Sequence, residues 1–212
     1  MTDAKHRSLD KIFRAAKKES EILGREAHVA ELLGPYLKMR PKHAKAWMLF
    51  GDALRVLGRN AESLPALTLA FEMAPPEYKA YVAVQIAMLL EKHVSPKDAK
   101  HWYMLATEIE NASAGWLWIL RGANFSALGE YADAIACFET VVTRQAEETD
   151  EALLNLGLVY RAMGDYEKAM DFFNKALSLN PNYPEALEAA EGLAGISSTL
   201  DLVRDIKGGP YH

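Results

Sequence analysis

The sequence is organised by a pattern of large and small residues that recurs about every thirty-five residues. Residues that recur at intervals of three and four lie on one face of a helix. A period of this length is typical of helical repeats, in which neighbouring helix pairs stack and bury a continuous core. The pattern therefore predicts an all-α fold. Its clearest copy spans residues 150–183 and consists of Leu153, Leu156, Gly157, Tyr160, Gly164, Tyr166, Ala169, Phe173, Ala176, Leu177 and Pro181.

The other copies are found by placing the small residue of the first helix at position eight. An extra residue between copies must lie in a turn, because an insertion within a helix would rotate its apolar face away from its neighbour. We therefore expect turns at Pro75-Pro76, at residues 111–114 and at residues 147–149. The frames start at Ala44, Ala80, Gly115 and Asp150, with offsets of 36, 35 and 35 residues.

The pattern resembles the tetratricopeptide repeat (TPR). The copies at Gly115 and Asp150 match it closely, whereas the copy at Ala80 lacks the glycine between its two helices. In its place, Ser95-Pro96-Lys97-Asp98 predicts a helix with a serine cap, a proline in the first turn and a reciprocal acid. The resemblance implies a right-handed α-solenoid of helix-turn-helix repeats with a C-terminal capping helix. It also implies small residues at close helix crossings, here Ala134 and Ala169.

The frame divides the chain into helical segments without a visible linker. We predict that residues 1–43 form an N-terminal helical segment, interpreted as a divergent repeat. Repeats follow at residues 44–79, 80–114 (degenerate), 115–149 and 150–183, then a capping helix at residues 184–196, and a short helix and frayed tail at residues 197–212.

Charge is unevenly distributed along the chain. Residues 1–43 carry ten basic and six acidic side chains, although the whole protein has a net charge of -5. Nucleic-acid binding usually needs a basic stripe with stacking aromatics, and Phe13 is the single aromatic residue among the early lysines and arginines. We therefore interpret the basic end as one face of a solvated helix and expect no nucleic-acid partner. Docking of an acidic partner or a membrane surface is an open alternative.

The sequence also predicts where the protein acts. Its longest apolar runs fall short of the roughly 18 residues of a membrane span. The N-terminus lacks the apolar core and cleavage site of a secretory signal. We therefore expect a cytoplasmic protein with no transmembrane segment. Cys137 is the sole cysteine, so an intramolecular disulfide is impossible, and its frame position predicts a packed thiol.

Catalytic and metal-binding patterns are missing from the sequence. The six histidines form no pair with metal-ligand spacing on one helical turn, and the glycines are explained singly by helix packing and helix ends. Acidic pairs such as Asp150-Glu151 fall at a predicted helix start, where carboxylates favour the helix dipole. We expect no enzyme activity, no metal and no cofactor.

Positions 2, 5, 9 and 12 of each first helix lie on the side opposite the core of the repeat. In the TPR family this stripe lines the concave, partner-binding groove. Here the stripe is apolar in its middle. The predicted binding residues are Lys45, Met48, Asp52, Arg55, Tyr81, Val84, Met88, Glu91, Trp116, Ile119, Ala123, Glu151, Leu154, Leu158 and Arg161.

The apolar stripe has two interpretations. It packs against neighbouring helices or the chain's own terminal segment, or it contacts a partner's apolar face. TPR domains that bind acidic chaperone tails use a clamp of lysine, asparagine and arginine. Here Asp52 and Met88 occupy the asparagine positions, and Met48 stands where a lysine is needed. The clamp is therefore missing, and the resemblance lies with adaptors that bind an apolar helix or extended segment.

Two functions are consistent with the sequence. The first is a non-catalytic adaptor or chaperone that binds an apolar helix or extended peptide of another protein in its groove. The second is a structural assembly subunit whose apolar stripe is buried in a homo-oligomer. Size in solution separates these hypotheses.

Overall fold

The computed structural model describes residues 3–109 and 114–195, and over those residues it consists of α-helices joined by short turns. The described residues contain no strand, and the predicted all-α repeat architecture is confirmed. The short helix and tail predicted for residues 197–212 lie outside the described residues. The helices are α1 (Asp3–Ser20), α2 (Glu26–Met39), α3 (Ala44–Val56), α4 (Asn60–Met73), α5 (Pro76–His93), α6 (Pro96–Ile109), α7 (Gly115–Ala127), α8 (Tyr131–Arg144), α9 (Thr149–Ala162), α10 (Tyr166–Leu179) and α11 (residues 184–195).

The chain forms two compact units, Met1–Asn111 and Ala112–His212. In the first unit, α1 packs on α2, α3 on α4 and α5 on α6, and α2 and α4 also contact the helix that follows them. In the second unit, α7 packs on α8 and α9 on α10, and α8 contacts α9. First helices of neighbouring pairs also touch: α1 with α3, α3 with α5, and α7 with α9. Each unit is therefore built from stacked helical hairpins.

The two helices of a hairpin approach most closely at position eight of the first helix. A Cβ atom added to Gly51 would lie 2.7 Å from Cγ of Leu67, and one added to Gly122 would lie 2.6 Å from Cε1 of Phe138. The glycines thus leave space for a large side chain sixteen residues later, which is fully buried in each case. This pairing explains why small and large residues alternate in the sequence.

The second helix contributes a small residue to the same crossing. Ala99, Ala134 and Ala169 are fully buried, in agreement with the expected close crossings at Ala134 and Ala169. Ser63 occupies the equivalent position in α4, where its hydroxyl donates a 2.7 Å hydrogen bond to the carbonyl oxygen of Gly51. The hydroxyl is therefore satisfied although Ser63 is fully buried.

The turn within each hairpin follows one of two designs. Gly58, Gly129 and Gly164 adopt positive φ of 73°, 74° and 82°, a conformation that glycine reaches without strain. Val94 stands at the equivalent place after α5 with φ of -124°. The next helix, α6, then begins with the predicted serine cap: the backbone N–H of Asp98 donates to Oγ of Ser95, and the Ser95 hydroxyl in turn donates to the Asp98 carboxylate.

We predict that Gly157→Ala lowers the free energy of unfolding by about 1–3 kcal/mol through overpacking. The added Cβ would lie 2.5 Å from Cδ1 of Phe173 and 3.1 Å from the carbonyl oxygen of Ala169. Urea denaturation followed by circular dichroism measures the change.

Gly192→Ala is the matched control, because it places the same methyl group on a helix with nothing within 4 Å. It should raise stability by about 0.5–1 kcal/mol, the usual gain from replacing a helical glycine. Equal effects of the two substitutions would contradict the close crossing at Gly157.

Candidate protein-binding surface

The structure separates the predicted binding residues by their position in the repeat. Val84, Ile119 and Leu154, at position five, are 4%, 5% and 6% exposed. Met48, the remaining residue at this position, is half-buried and packs on the cluster that contains Leu67 and Val82. A first helix has neighbours on more than one side in a stack of hairpins, so position five faces other helices. The internal-packing interpretation fits these four side chains.

Position two is exposed in all four frames. Lys45, Tyr81, Trp116 and Glu151 are accessible there, with Tyr81 at 42% and Trp116 at 40%. At position nine, Met88 is 39% exposed and Ala123 is exposed as well, while Asp52 and Leu158 are half-buried. The accessible part of the stripe is thus formed by positions two and nine.

In the first unit, an ion pair borders the accessible apolar residues. Nη2 of Arg55 lies 2.7 Å from Oδ1 of Asp52, within one turn of α3. Burial and the nearby Asp52 carboxylate raise the pKa of Tyr81, while Gln85 and Arg55 oppose that shift. Tyr81 therefore stays protonated and presents both a ring and a hydroxyl. Beside the Asp52–Arg55 ion pair, the ring of Tyr81 and the side chain of Met88 form the apolar part of this surface.

The ends of this surface in the first unit are held by further polar contacts. Nζ of Lys45 lies 4.4 Å from the centroid of the Tyr78 ring, a cation–π distance. Glu91 accepts a 2.9 Å hydrogen bond from the hydroxyl of Tyr103. Burial and this carboxylate raise the pKa of Tyr103 strongly. Lys45 and Glu91 therefore have defined positions at opposite ends of the predicted stripe.

In the second unit, α11 covers part of the stripe. Leu154, Leu158 and Arg161 of α9 line a cavity of about 350 Å³ together with α11 residues, among them Glu188 and Ala189. Burial and the neighbouring carboxylates of Asp150 and Glu148 raise the pKa of Glu151. In the last repeat, the stripe thus packs against the chain's own terminal segment, which was one of its two interpretations. Trp116 on α7, by contrast, is accessible.

Sequence reasoning missed Gln85, which lies between Tyr81 and Met88 on α5. Gln85 is buried, with 7% of its surface exposed, and its Oε1 has no hydrogen-bond partner among the described residues. Position six was not part of the predicted stripe. The sequence signal that could have identified it is a polar residue within the otherwise apolar run from Tyr81 to Leu90.

The described residues contain no group of three His, Cys, Asp or Glu side chains placed to hold a metal ion. Cys137 is buried, as predicted, and burial raises the pKa of its thiol to about 11. A thiol with this pKa is protonated near neutral pH and is a poor nucleophile. In the part of the chain that the structure describes, no helix is both long and apolar enough to cross a membrane.

Family comparisons match the repeats directly. A tetratricopeptide repeat model matches residues 150–183, and a second tetratricopeptide repeat model matches residues 30–78. The chain is a tetratricopeptide repeat protein. The second match begins within α2 and extends into α5, so it includes the hairpin of α3 and α4.

Sequence relatives of this TPR protein include photosystem I assembly proteins named Ycf3. The protein from Rippkaea orientalis is 30% identical over 80 residues, which cover 37% of this chain and 46% of the relative. The protein from Synechococcus elongatus is 37% identical over 68 residues, which cover 31% of this chain and 39% of the relative. The chain therefore spans less than half the length of these relatives.

Solved TPR structures share the fold. A tetratricopeptide repeat protein from Parabacteroides merdae has a TM-score of 0.78 and 18% identity, covering 95% of this chain and 80% of that protein. YrrB, described as a TPR protein with an unusual peptide-binding site, has a TM-score of 0.66 and 18% identity, covering 85% of this chain and 97% of YrrB. At these identities the likeness shows the fold alone.

We predict that positions five and nine respond differently to substitution. Ile119→Ala should lower the free energy of unfolding by about 2–4 kcal/mol, because it opens a cavity at a buried site. Met88→Ala should cost clearly less, because the side chain is 39% exposed and the site can relax into solvent. Urea denaturation of both variants measures the difference. A larger cost for Met88→Ala would contradict the division of the stripe.

Proposed function

We propose that this TPR protein is a non-catalytic adaptor or chaperone that binds an apolar helix or extended peptide of another protein. The observation that carries the proposal is the partial exposure of Tyr81, Met88 and Trp116 on first helices. Isolated exposed apolar residues are ordinary on a protein surface. Tyr81 and Met88 are seven residues apart on α5 and thus lie on the same face of the helix, two turns apart.

The residue types favour a protein partner over a small molecule. Trp and Tyr are enriched among residues that dominate binding energy at interfaces, and Met adapts its shape to different apolar side chains. The Asp52–Arg55 pair and Glu91 provide a polar rim beside them. An apolar centre with a polar rim is the usual composition of an interface.

The relatives support an assembly role. Proteins named for photosystem I assembly match about a third of this chain. An assembly factor has to hold protein surfaces before they are buried in the final complex, and such surfaces are apolar. We therefore propose the chaperone form of the adaptor, which binds an apolar segment of a subunit before that subunit is assembled.

We predict that the double substitution Met88→Gln and Trp116→Gln abolishes capture of the partner from native lysate. Central interface residues cost about 2 kcal/mol or more in binding when replaced, whereas exposed sites change stability by less than about 0.5 kcal/mol. Affinity capture with mass spectrometry measures binding, and circular dichroism measures the helix content and the melting temperature.

Met163→Gln combined with Leu69→Gln is the matched control. Both side chains are exposed and apolar but lie outside the predicted stripe. The control should retain every captured protein. Loss of capture by both double variants, or unfolding of the first one, would count against the proposed surface. A wild-type homodimer that the Trp116 substitution dissociates would favour the assembly-subunit alternative.

We predict that acidic chaperone tails do not bind in a sequence-dependent manner. Asp52 replaces the neutral amide of the clamp and would repel a terminal carboxylate, and Met88 offers no donor to it. Fluorescence anisotropy should give equal affinities for an acidic tail peptide and its scrambled control. Micromolar binding of the native peptide alone would contradict this prediction.

A further inference from the structure

A second surface lies in the first unit, away from the predicted stripe. A cavity of about 650 Å³ opens between α1, the end of α2 and the turn of residues 40–43 that leads into α3. Its volume is within the usual range for small-ligand sites, roughly 300–1,000 Å³. Its lining includes Asp10, Phe13, Arg14, Tyr36, Arg40 and His43.

The floor of the cavity is a cluster of three rings. The ring centroids of Phe13 and His43 are 4.4 Å apart, and those of Phe13 and Tyr36 are 5.9 Å apart. The Tyr36 hydroxyl and Nδ1 of His43 are joined by a 2.6 Å hydrogen bond. Tyr36 belongs to the hydrophobic core of the unit, and Phe13 packs against that core. The floor is therefore held in place and offers ring surface to an apolar group.

The wall of the cavity is positively charged. Arg14, Arg40 and Lys42 face one carboxylate, that of Asp10. Nη2 of Arg40 lies 3.9 Å from Oδ1 of Asp10, which is longer than a hydrogen bond. Nε of Arg40 is buried and has no hydrogen-bond partner among the residues described by the structure. A buried charged donor without a partner is unfavourable, and an anion bound to the accessible part of the Arg40 guanidinium, which lines the cavity, would offset that cost.

The start of α3 adds to this positive potential. His43 is its N-cap residue but makes no side-chain capping bond, and the first turn contains no acidic residue. The N-terminal end of a helix carries partial positive charge, which here is not offset locally. Burial and the charges of Arg40 and Lys45 lower the pKa of His43, as expected in a positive environment, while Asp10 opposes this shift.

The geometry points to a binding site for a carboxylate attached to an apolar, preferably aromatic, body. Arg40 would donate to the carboxylate, and the body would lie on the rings of Phe13 and His43. A neutral apolar ligand would leave the positive charge of Arg40 unbalanced, and a small inorganic anion would leave the ring surface uncovered. A free aromatic acid and a peptide C-terminus with an aromatic last residue share this chemistry. The inference is independent of the function proposed for the stripe.

Paired probes test the site with the full chain. N-acetylphenylalanine is compared with its neutral amide, and a tetrapeptide with a free C-terminal phenylalanine is compared with its amidated form. At least one carboxylate should bind about tenfold more tightly than its amide, since a tenfold change is about 1.4 kcal/mol. The tighter carboxylate identifies the source. Acetate should bind more weakly than either. NMR signals of the His43 ring, which lies on the floor, should shift on binding.

The inference would be overturned by equal binding of carboxylate and amide, by acetate binding as tight as that of the larger acids, or by no binding of any carboxylate probe. Binding without a change in the His43 signals would place the ligand elsewhere and would overturn it as well.

Arginine variants complete the test. Arg40→Gln and Arg14→Gln should each weaken carboxylate binding, the first by about tenfold because it removes the guanidinium proposed to hold the carboxylate. Arg14 is exposed on α1, so its variant stays informative if Arg40→Gln fails to fold. Arg25→Gln is the matched control, because Arg25 is exposed and outside the cavity. Wild-type affinity in both cavity variants would overturn the site.

Discussion

The close approach of two helices within each hairpin is the constraint on which the rest of the structure depends. It requires a first-helix residue without a bulky side chain and a large residue opposite it, such as Gly122 and Phe138. Protein interiors are packed as densely as organic crystals, so an added methyl group has no free space at such a contact. Once this contact fixes the rotation of the helix, every other position on it has a defined direction. The buried contact of each first helix therefore determines which of its other residues are exposed.

That rotation explains why the apolar stripe is only partly accessible. Position five turns towards neighbouring helices, which buries Val84, Ile119 and Leu154. Positions two and nine turn away from them, which exposes Tyr81, Met88 and Trp116 in part. Apolar residues at position five contribute to stacking, and apolar residues at positions two and nine are the ones that we propose to contact a partner. Under that proposal, different residues of one stripe would serve folding and binding.

Features that arise within one hairpin were predictable from the sequence. The frame, the small residues at Ala134 and Ala169 and the serine cap at Ser95 all depend on residues close together in the chain. Contacts between hairpins were not predictable in the same way. The burial of position five and the ring cluster of Phe13 and His43 require knowledge of how one helix pair sits on the next. Helical periodicity gives the direction of a side chain but not what lies in that direction.

Two buried polar atoms lie beside the surfaces proposed for binding. Oε1 of Gln85 and Nε of Arg40 have no hydrogen-bond partner within the described residues. Folded proteins satisfy most buried polar groups, so such atoms need an explanation. Gln85 is neutral, and it is buried on α5 between Tyr81 and Met88 in the sequence. Arg40 is charged, and leaving a charged donor unsatisfied is more costly than leaving an amide oxygen unsatisfied. Binding at the cavity should therefore depend strongly on ligand charge, whereas binding at the stripe should depend mainly on apolar contact area.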